Sequence, residues 1–308
     1  MCRQVEKKMQ LTLGPILFHW TADMWRDFYL RIADEAPIDR VVLGEVVCSK
    51  RLPFYQALIP EVAERLQRAG KEVVLASLAL VTLPRERKMS ASLMHSGFKI
   101  EINDLTMLNY LEPGQSFNVG PLVNVYNLAT LNWLGDKGAK DICLPPELPI
   151  TAVQKLAALR KKQNINIEVW AYGRIPLAIS GRCTHARLTS RSKDSCQFVC
   201  EKDLDGLAVE TLDAQPFLAV NGVQTLSESR ANMAGDTSAL KATGANRLRL
   251  SPHTEDMIFI AKTFRAVCDQ QITSQEALAN FADQWPDRHY CNGFLFGKTG
   301  ADWSHAAQ

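Results

Sequence analysis

Residues Ile142–Ala171 read ICLPPELPITAVQKLAALRKKQNINIEVWA. Ile142–Leu144 is a short apolar run that suits a buried strand, and a proline-containing turn follows it. Thr151–Lys162 places apolar residues at helical spacing and ends in cations, as a helix C-terminus favours. Ile165–Ala171 is a second β-branched and aromatic run. Strand, helix and strand of this length form one βαβ unit, whose two strands lie parallel.

Working outward, the same rhythm repeats. Towards the N-terminus, strands are expected at Leu11–Phe18, Val41–Leu43, Val73–Leu80, Phe98–Ile102 and Phe117–Val123. Helices are expected from Thr21 to Ala36, with Trp25, Phe28 and Ile32 on one face, and at Tyr55–Ala69, Arg85–His95 and Leu128–Leu134. Gly70 stops the second of these. Towards the C-terminus, Arg247–Leu250 is an eighth strand and His253–Cys268 its helix. Eight repeats in 308 residues point to a closed TIM-like (β/α)8 barrel, an α/β fold that runs through the whole chain, 1–308, as one domain. Residues 182–233 break the rhythm. Leu207–Glu210 and Phe217–Val220 read as strands and Asn221–Gly222 as a hairpin turn, so this segment is a small β-rich insertion after strand seven.

Composition narrows the function classes. Net charge is +2, so no strong field points to nucleic acid or an anionic membrane. No apolar run reaches the roughly 20 residues a membrane helix needs. Met1–Gln10 is polar, with no apolar signal core. The expected compartment is cytoplasmic, where eight cysteines argue for metal or redox chemistry over disulfides.

The insertion opens with Cys183-Thr-His-Ala-Arg-Leu-Thr-Ser-Arg-Ser-Lys-Asp-Ser-Cys196-Gln-Phe-Val-Cys200. Three thiols sit in a polar segment carrying His185, Arg187, Arg191 and Lys193, with no apolar period to hold it. A metal or cluster can hold such a loop, and cations lower thiol pKa and balance thiolate charge. Zinc sites usually use two short pairs; the wide Cys183–Cys196 gap suits a cluster better. A fourth ligand must come from elsewhere. Cys48 lies just beyond strand two, on the barrel face where strands end, and reads equally well as that ligand or as a buried thiol in a turn. Cys291 is its rival. Cys143 and Cys268 read as core, and Cys2 lies in a polar terminus.

Upstream of the loop, Glu168-Val-Trp170-Ala-Tyr172-Gly173-Arg174-Ile-Pro176 and Gly181-Arg182-Cys183 resemble the signature E-x-F-x-x-G-[SA]-x-C-x₄-G-x-C of the collagenase-like U-type peptidase family. Glu168, Gly173, Gly181 and Cys183 match; Trp170, Arg174 and Pro176 replace the aromatic, the small residue and the first cysteine. The resemblance extends through Ile100–Asp104 and Asp213–Asn221. It is strongest to the branch that serves oxygen-independent ubiquinone biosynthesis. That resemblance implies a [4Fe-4S] cluster on Cys48, Cys183, Cys196 and Cys200. It also implies a role in ring hydroxylation without O₂, a heterodimer with a paralogous cluster-bearing barrel of the UbiU type, and a lipid-carrier accessory protein for quinone precursors. A peptidase and an RNA hydroxylation or modification protein are the family's other activities. No H-E-x-x-H or G-x-S-x-G pattern supports hydrolysis, and the low net charge disfavours RNA. Catalytic residues are not assigned. Glu168, Tyr172 and Arg174 are candidate substrate contacts, since an Arg fork matches a carboxylate; a Glu168–Arg174 ion pair closing the barrel mouth is the alternative. Glu45, Asn103, Asp104 and Asn124 fall near strand ends, where each could equally cap a helix or touch substrate.

Overall fold

The computed structural model describes residues 8–304, with backbone only for 159–163; Cys2 lies outside the described residues. In chain order the elements are β1 (Gln10–Leu13), α1 (Ala22–Glu35), β2 (Arg40–Leu43), α2 (Ile59–Arg68), β3 (Glu72–Ala76), α3 (Pro84–Met94), β4 (Lys99–Ile102), β5 (Phe117–Val119), α4 (Leu128–Asp136), β6 (Ala139–Cys143), α5 (Ile150–Gln163) and β7 (Asn166–Ile179). There follow α6 (Thr184–Leu188), β8 (Leu207–Glu210), β9 (Pro216–Asn221), β10 (Gln224–Asn232), α7 (Thr237–Thr243), β11 (Arg247–Leu250), α8 (Met257–Cys268), α9 (Ser274–Gln284) and β12 (Tyr290–Cys291).

Strands β1 to β7 lie side by side in parallel, and β11 pairs with both β7 and β1. The sheet thus closes into an eight-stranded α/β barrel. Between β4 and β5 a short 3₁₀ turn, Leu105–Tyr110, stands in place of a helix. Helix α1 begins where Thr21 accepts a hydrogen bond from Met24 N, and it buries Trp25, Tyr29, Ile32 and Ala33. No helix among the described residues is long and apolar enough to cross a membrane.

The barrel interior holds charge in place of the usual aliphatic layers. At the N-terminal end Arg40 reaches Glu72 at 2.7 Å and Asp141 at 3.1 Å, while Arg247 lies 2.7 Å from Asp141. Higher up, Arg249 bridges Glu101 and Glu168, and the Thr12 hydroxyl donates to Glu168 at 2.6 Å. Buried charges are tolerated when they are paired like this. Burial alone would raise the Glu168 pKa, but Arg249, Arg40 and Thr12 hold it below the ordinary carboxylate value.

Strand seven is longer than the sequence suggests. It continues past Ala171, through Gly173, to Ile179 and leaves the barrel as one edge of an antiparallel sheet, β7–β10–β9–β8. Gly173 adopts φ +110°, which a side chain would strain, and a Cβ there would meet Ser251 and His253. Gly222 and Val223 turn β9 into β10. This sheet folds over the barrel mouth. Pro176 and Gln224 from it join Gly14, Asn103, Trp170 and Ser251 around a cavity of about 20 Å³, which has room for about one water.

Candidate functional site

Two of the four predicted thiols, Cys48 and Cys200, come under the charge of one guanidinium. Arg51 is 1% exposed, and its Nη1 donates to Leu17 O at 2.8 Å. Its Nη2 donates to Asn221 Oδ1 at 2.9 Å, and it also hydrogen-bonds the Cys200 thiol. Cys200 feels the charges of Cys183 and Cys196, and Arg51 feels those of Cys200, Glu45 and Cys48. All four thiols are free and half-buried. Burial raises the pKa of Cys48 and Cys200, while Arg51 pulls both the other way.

Each thiol is placed by local structure. Cys48 lies in the turn after β2, where Glu45 Oε1 accepts from Val47 N at 2.7 Å and Cys48 N at 2.9 Å. Cys183 caps α6, its sulfur accepting from Ala186 N. Between Cys196 and Cys200, Gln197 and Phe198 both adopt left-handed backbone, with φ of +49° and +52°. That conformation is unfavourable for residues with a Cβ. It makes a tight turn, closed by Val199 N to Cys196 O, that carries both thiols. Phe198 then packs edge-on to Phe54 and against His19.

Two findings here have no clear sequence signal. Arg51 is one cation among many in the sequence. His19 is buried with neither ring nitrogen hydrogen-bonded, and burial lowers its pKa to about 4. His185, in the polar cysteine loop, is 1% exposed and sits 2.8 Å from Asp203.

Among the described residues no group of three or more His, Cys, Asp or Glu side chains could hold a metal ion. The donor chemistry nonetheless fits a soft, negatively charged group, with four free thiols of which Cys48 and Cys200 lie under the charge of a buried cation. Cys48, Cys183, Cys196 and Cys200 are the residues that would hold it. Cys291 is fully buried, and its pKa is raised by burial with Ser229 as its hydrogen-bond partner, so it lies in other surroundings. Cys143 is buried in β6.

Glu168, Tyr172 and Arg174 are not brought together. Glu168 belongs to the barrel interior with Arg249. Arg174 turns to the insertion, where it donates to Asp205 O at 3.2 Å, Ser227 O at 2.9 Å and Glu228 O. The expected Glu168–Arg174 ion pair is therefore absent; each group has nearer partners. Tyr172 is fully buried and donates to Glu255 at 2.5 Å. It reaches Arg174 only through Glu255, Arg230 and Asp205. His253 sits 2.5 Å from Asp205, but its Nε2 accepts the Arg174 backbone N–H at 3.0 Å, so this pair has no free base nitrogen. Glu45 and Asp104 hold turns, the latter by accepting from Val81 N and Thr106 N. Asn103 donates to Ser77 O, and Asn124 ends a turn in left-handed backbone.

Three solved structures share part of the chain path. The first is a mandelate racemase/muconate lactonizing protein from Paracoccus denitrificans: 11% identity, 55% of this chain, TM-score 0.39. This chain spans only 49% of that protein. The second is a putative fructose-1,6-biphosphate aldolase from Coccidioides immitis: 10% identity, 91% of this chain and 90% of that one, TM-score 0.41. The third is from a tryptophan synthase complex of Pyrococcus furiosus: 10% identity, 91% and 99%, TM-score 0.38. These likenesses are remote, and nothing of those proteins' activities is carried over. The sequence model of peptidase family U32 matches residues 28–305, nearly the whole chain. The chain belongs to peptidase family U32.

Proposed function

We propose that the chain is an iron–sulfur protein of the UbiV type, a component of an anaerobic ring-hydroxylation complex in ubiquinone biosynthesis. The observation that carries this reading is that the Cys48 turn and the loop bearing Cys183, Cys196 and Cys200 are held together, Lys50 on Lys193 O and Phe54 on Phe198, with the buried Arg51 acting on Cys48 and Cys200. A [4Fe-4S] cluster held by four thiolates carries net negative charge, and a buried guanidinium offsets it. When bound, such a cluster supplies one-electron transfer. Four cysteine ligands leave no iron open to substrate, so the chain's partner or an associated surface holds the quinone precursor. A UbiU-type paralogous barrel is the proposed partner, as a heterodimer, with a lipid-carrier protein delivering the precursor.

The peptidase reading lacks a nucleophile beside a free base. Of two buried histidines paired with aspartate, His253 on Asp205 has its outer nitrogen occupied by backbone, and His185 on Asp203 leaves Nδ1 buried with no hydroxyl or thiol hydrogen-bonded to it. RNA modification finds no support in a net charge of +2.

The test is a deletion strain. It should make normal ubiquinone in air, lose it without O₂ and accumulate precursors lacking ring hydroxyls. Anaerobically purified protein should carry about four irons and four sulfides. Full anaerobic ubiquinone in the deletion strain, or colourless protein holding a single zinc, overturns the reading.

A further inference from the structure

A second cavity, of about 640 Å³, opens between α2, α3 and the C-terminal ends of β2 and β3. Its size is that of sites for drug-sized ligands. Leu52, Ile59, Leu78, Met89, Leu93 and Phe98 make its walls mainly apolar. Two cations stand among them. Arg85 and Lys88 are exposed, lie three residues apart on one side of α3, and have no carboxylate partner among the described residues. The one acid in the lining is Glu45, and its oxygens already accept from Val47 N, Cys48 N and the Tyr55 hydroxyl. Glu86, on the same helix, is engaged by Ser49, Thr82 and Leu83. Neither carboxylate is ion-paired to Arg85 or Lys88, so both cations stay open to a ligand.

An apolar cleft with unmatched cations fits a ligand that is apolar along its length and anionic at one end. We propose that this cavity binds an amphipathic anion: a long hydrocarbon chain or prenyl tail ending in a carboxylate or a phosphate. The tail lies against Ile59, Leu78, Leu93 and Phe98, and the head meets Arg85 and Lys88. A neutral lipid leaves both cations unmatched, and a small anion leaves the apolar walls wet. Glu45 links the cavity to the thiol turn, because the carboxylate lining one also holds the Cys48 backbone of the other. The inference stands on the cavity and its charges, whatever the thiols hold.

The test uses purified protein with cis-parinaric acid as fluorescent probe, its methyl ester as the uncharged arm and dodecyl phosphate as competitor. The acid should bind saturably and more tightly than the ester. Competition by dodecyl phosphate marks a site that takes either anion, and its failure to compete narrows the head to a carboxylate. The double variant Arg85→Ala/Lys88→Ala should weaken the acid about tenfold and leave the ester unchanged, the scale of two partly exposed charge contacts. Met89→Asn, at a half-buried position on the rim, should weaken acid and ester alike. Thermal melts of both variants close to wild type separate lost binding from lost folding. Absence of saturable binding to the wild type, equal binding of acid and ester, or affinities unchanged in both variants overturns the proposal. Iron content and ubiquinone levels do not enter this readout, so its failure leaves the cluster reading in place, and the reverse.

Discussion

Replacing Arg249 by Met tests how the barrel interior is held together. Arg249 is 3% exposed and is the only bridge in its tier between Glu101 and Glu168, each 2% exposed. Methionine keeps much of the volume and removes the charge, leaving two buried carboxylates without their cation. Breaking a buried ion network by removing one partner costs about 3–5 kcal/mol, because the remaining charge stays uncompensated. For a chain this long that lowers Tm by about 5–8 °C. The assay is urea unfolding followed by tryptophan fluorescence at pH 7 and pH 5. The pH arm has a sign that can be worked out. In the native protein the folded pKa of Glu168 is below its ordinary value, so its contribution is present at neutral pH and lost in acid. Without the guanidinium, burial dominates and pushes the folded pKa above the unfolded one. The variant's folded state then binds more protons than its unfolded state, and it must gain stability as pH falls from 7 to 5. Adding Glu101→Gln and Glu168→Gln to Arg249→Met should recover most of the loss. A loss under about 1 kcal/mol, or the same loss at both pH values, refutes the reasoning.

Three further outcomes can be measured. Glu72 feels burial first, yet Arg40 and Lys99, each at 2.7 Å, hold its pKa at about 2; its stabilisation is present above pH 4.5 and lost as pH falls towards 2. Glu72→Gln should cost up to about 3 kcal/mol at pH 7 and almost nothing near pH 2, compared by urea midpoints. Arg174→Ala removes three backbone contacts and should cost about 2–4 kcal/mol, opening 205–228 to protease; an unchanged melt would show that the guanidinium is free for a ligand. Alanine at Cys48, Cys183, Cys196 or Cys200 should each remove most of the iron from anaerobically reconstituted protein, whereas Cys143→Ala, Cys268→Ala and Cys291→Ala should retain it. Iron retained in Cys48→Ala and lost in Cys291→Ala would name the wrong fourth ligand.

The barrel is legible in the sequence because most of its strands are short runs rich in aliphatic residues between turn residues. The parts that are not legible break a local rule for a tertiary reason. Strand seven reads as ending at Ala171 because Gly173 and Pro176 normally interrupt a strand. In the structure the strand passes through both, since the Gly173 backbone packs against Ser251 and an antiparallel partner takes over beyond the barrel rim. That partner, β10, is polar along Gln224-Thr-Leu-Ser-Glu-Ser-Arg and has no alternation to announce it. Helix α9 did leave a signal: Thr273 and Glu276 form a capping box. The interior charges left one too, since Arg247-Leu-Arg249-Leu alternates at the period that turns both arginines inward. What no local rule supplies is the pairing of Arg51 with Asn221, 170 residues apart.

That pairing bears on how a polar loop with three thiols keeps its place. The loop has few apolar residues, so it must be fixed from outside, and the fixings come from the first two barrel loops. Trp20 Nε1 donates to Leu204 O at 2.8 Å, and Lys50 Nζ to Lys193 O at 2.6 Å. Arg51 holds Asn221, and Gly222 beside it passes so close that a Cβ would lie 2.9 Å from the guanidinium. Phe54 and His19 receive Phe198. Lys50, Arg51 and Phe54 all follow Cys48 within six residues, so the turn that carries Cys48 also anchors the loop carrying the other three thiols. The register between the two turns is thus set by protein contacts. Arg51 acts on Cys48 from one turn and on Cys200 from the other, and a positive charge there favours the thiolate form of both.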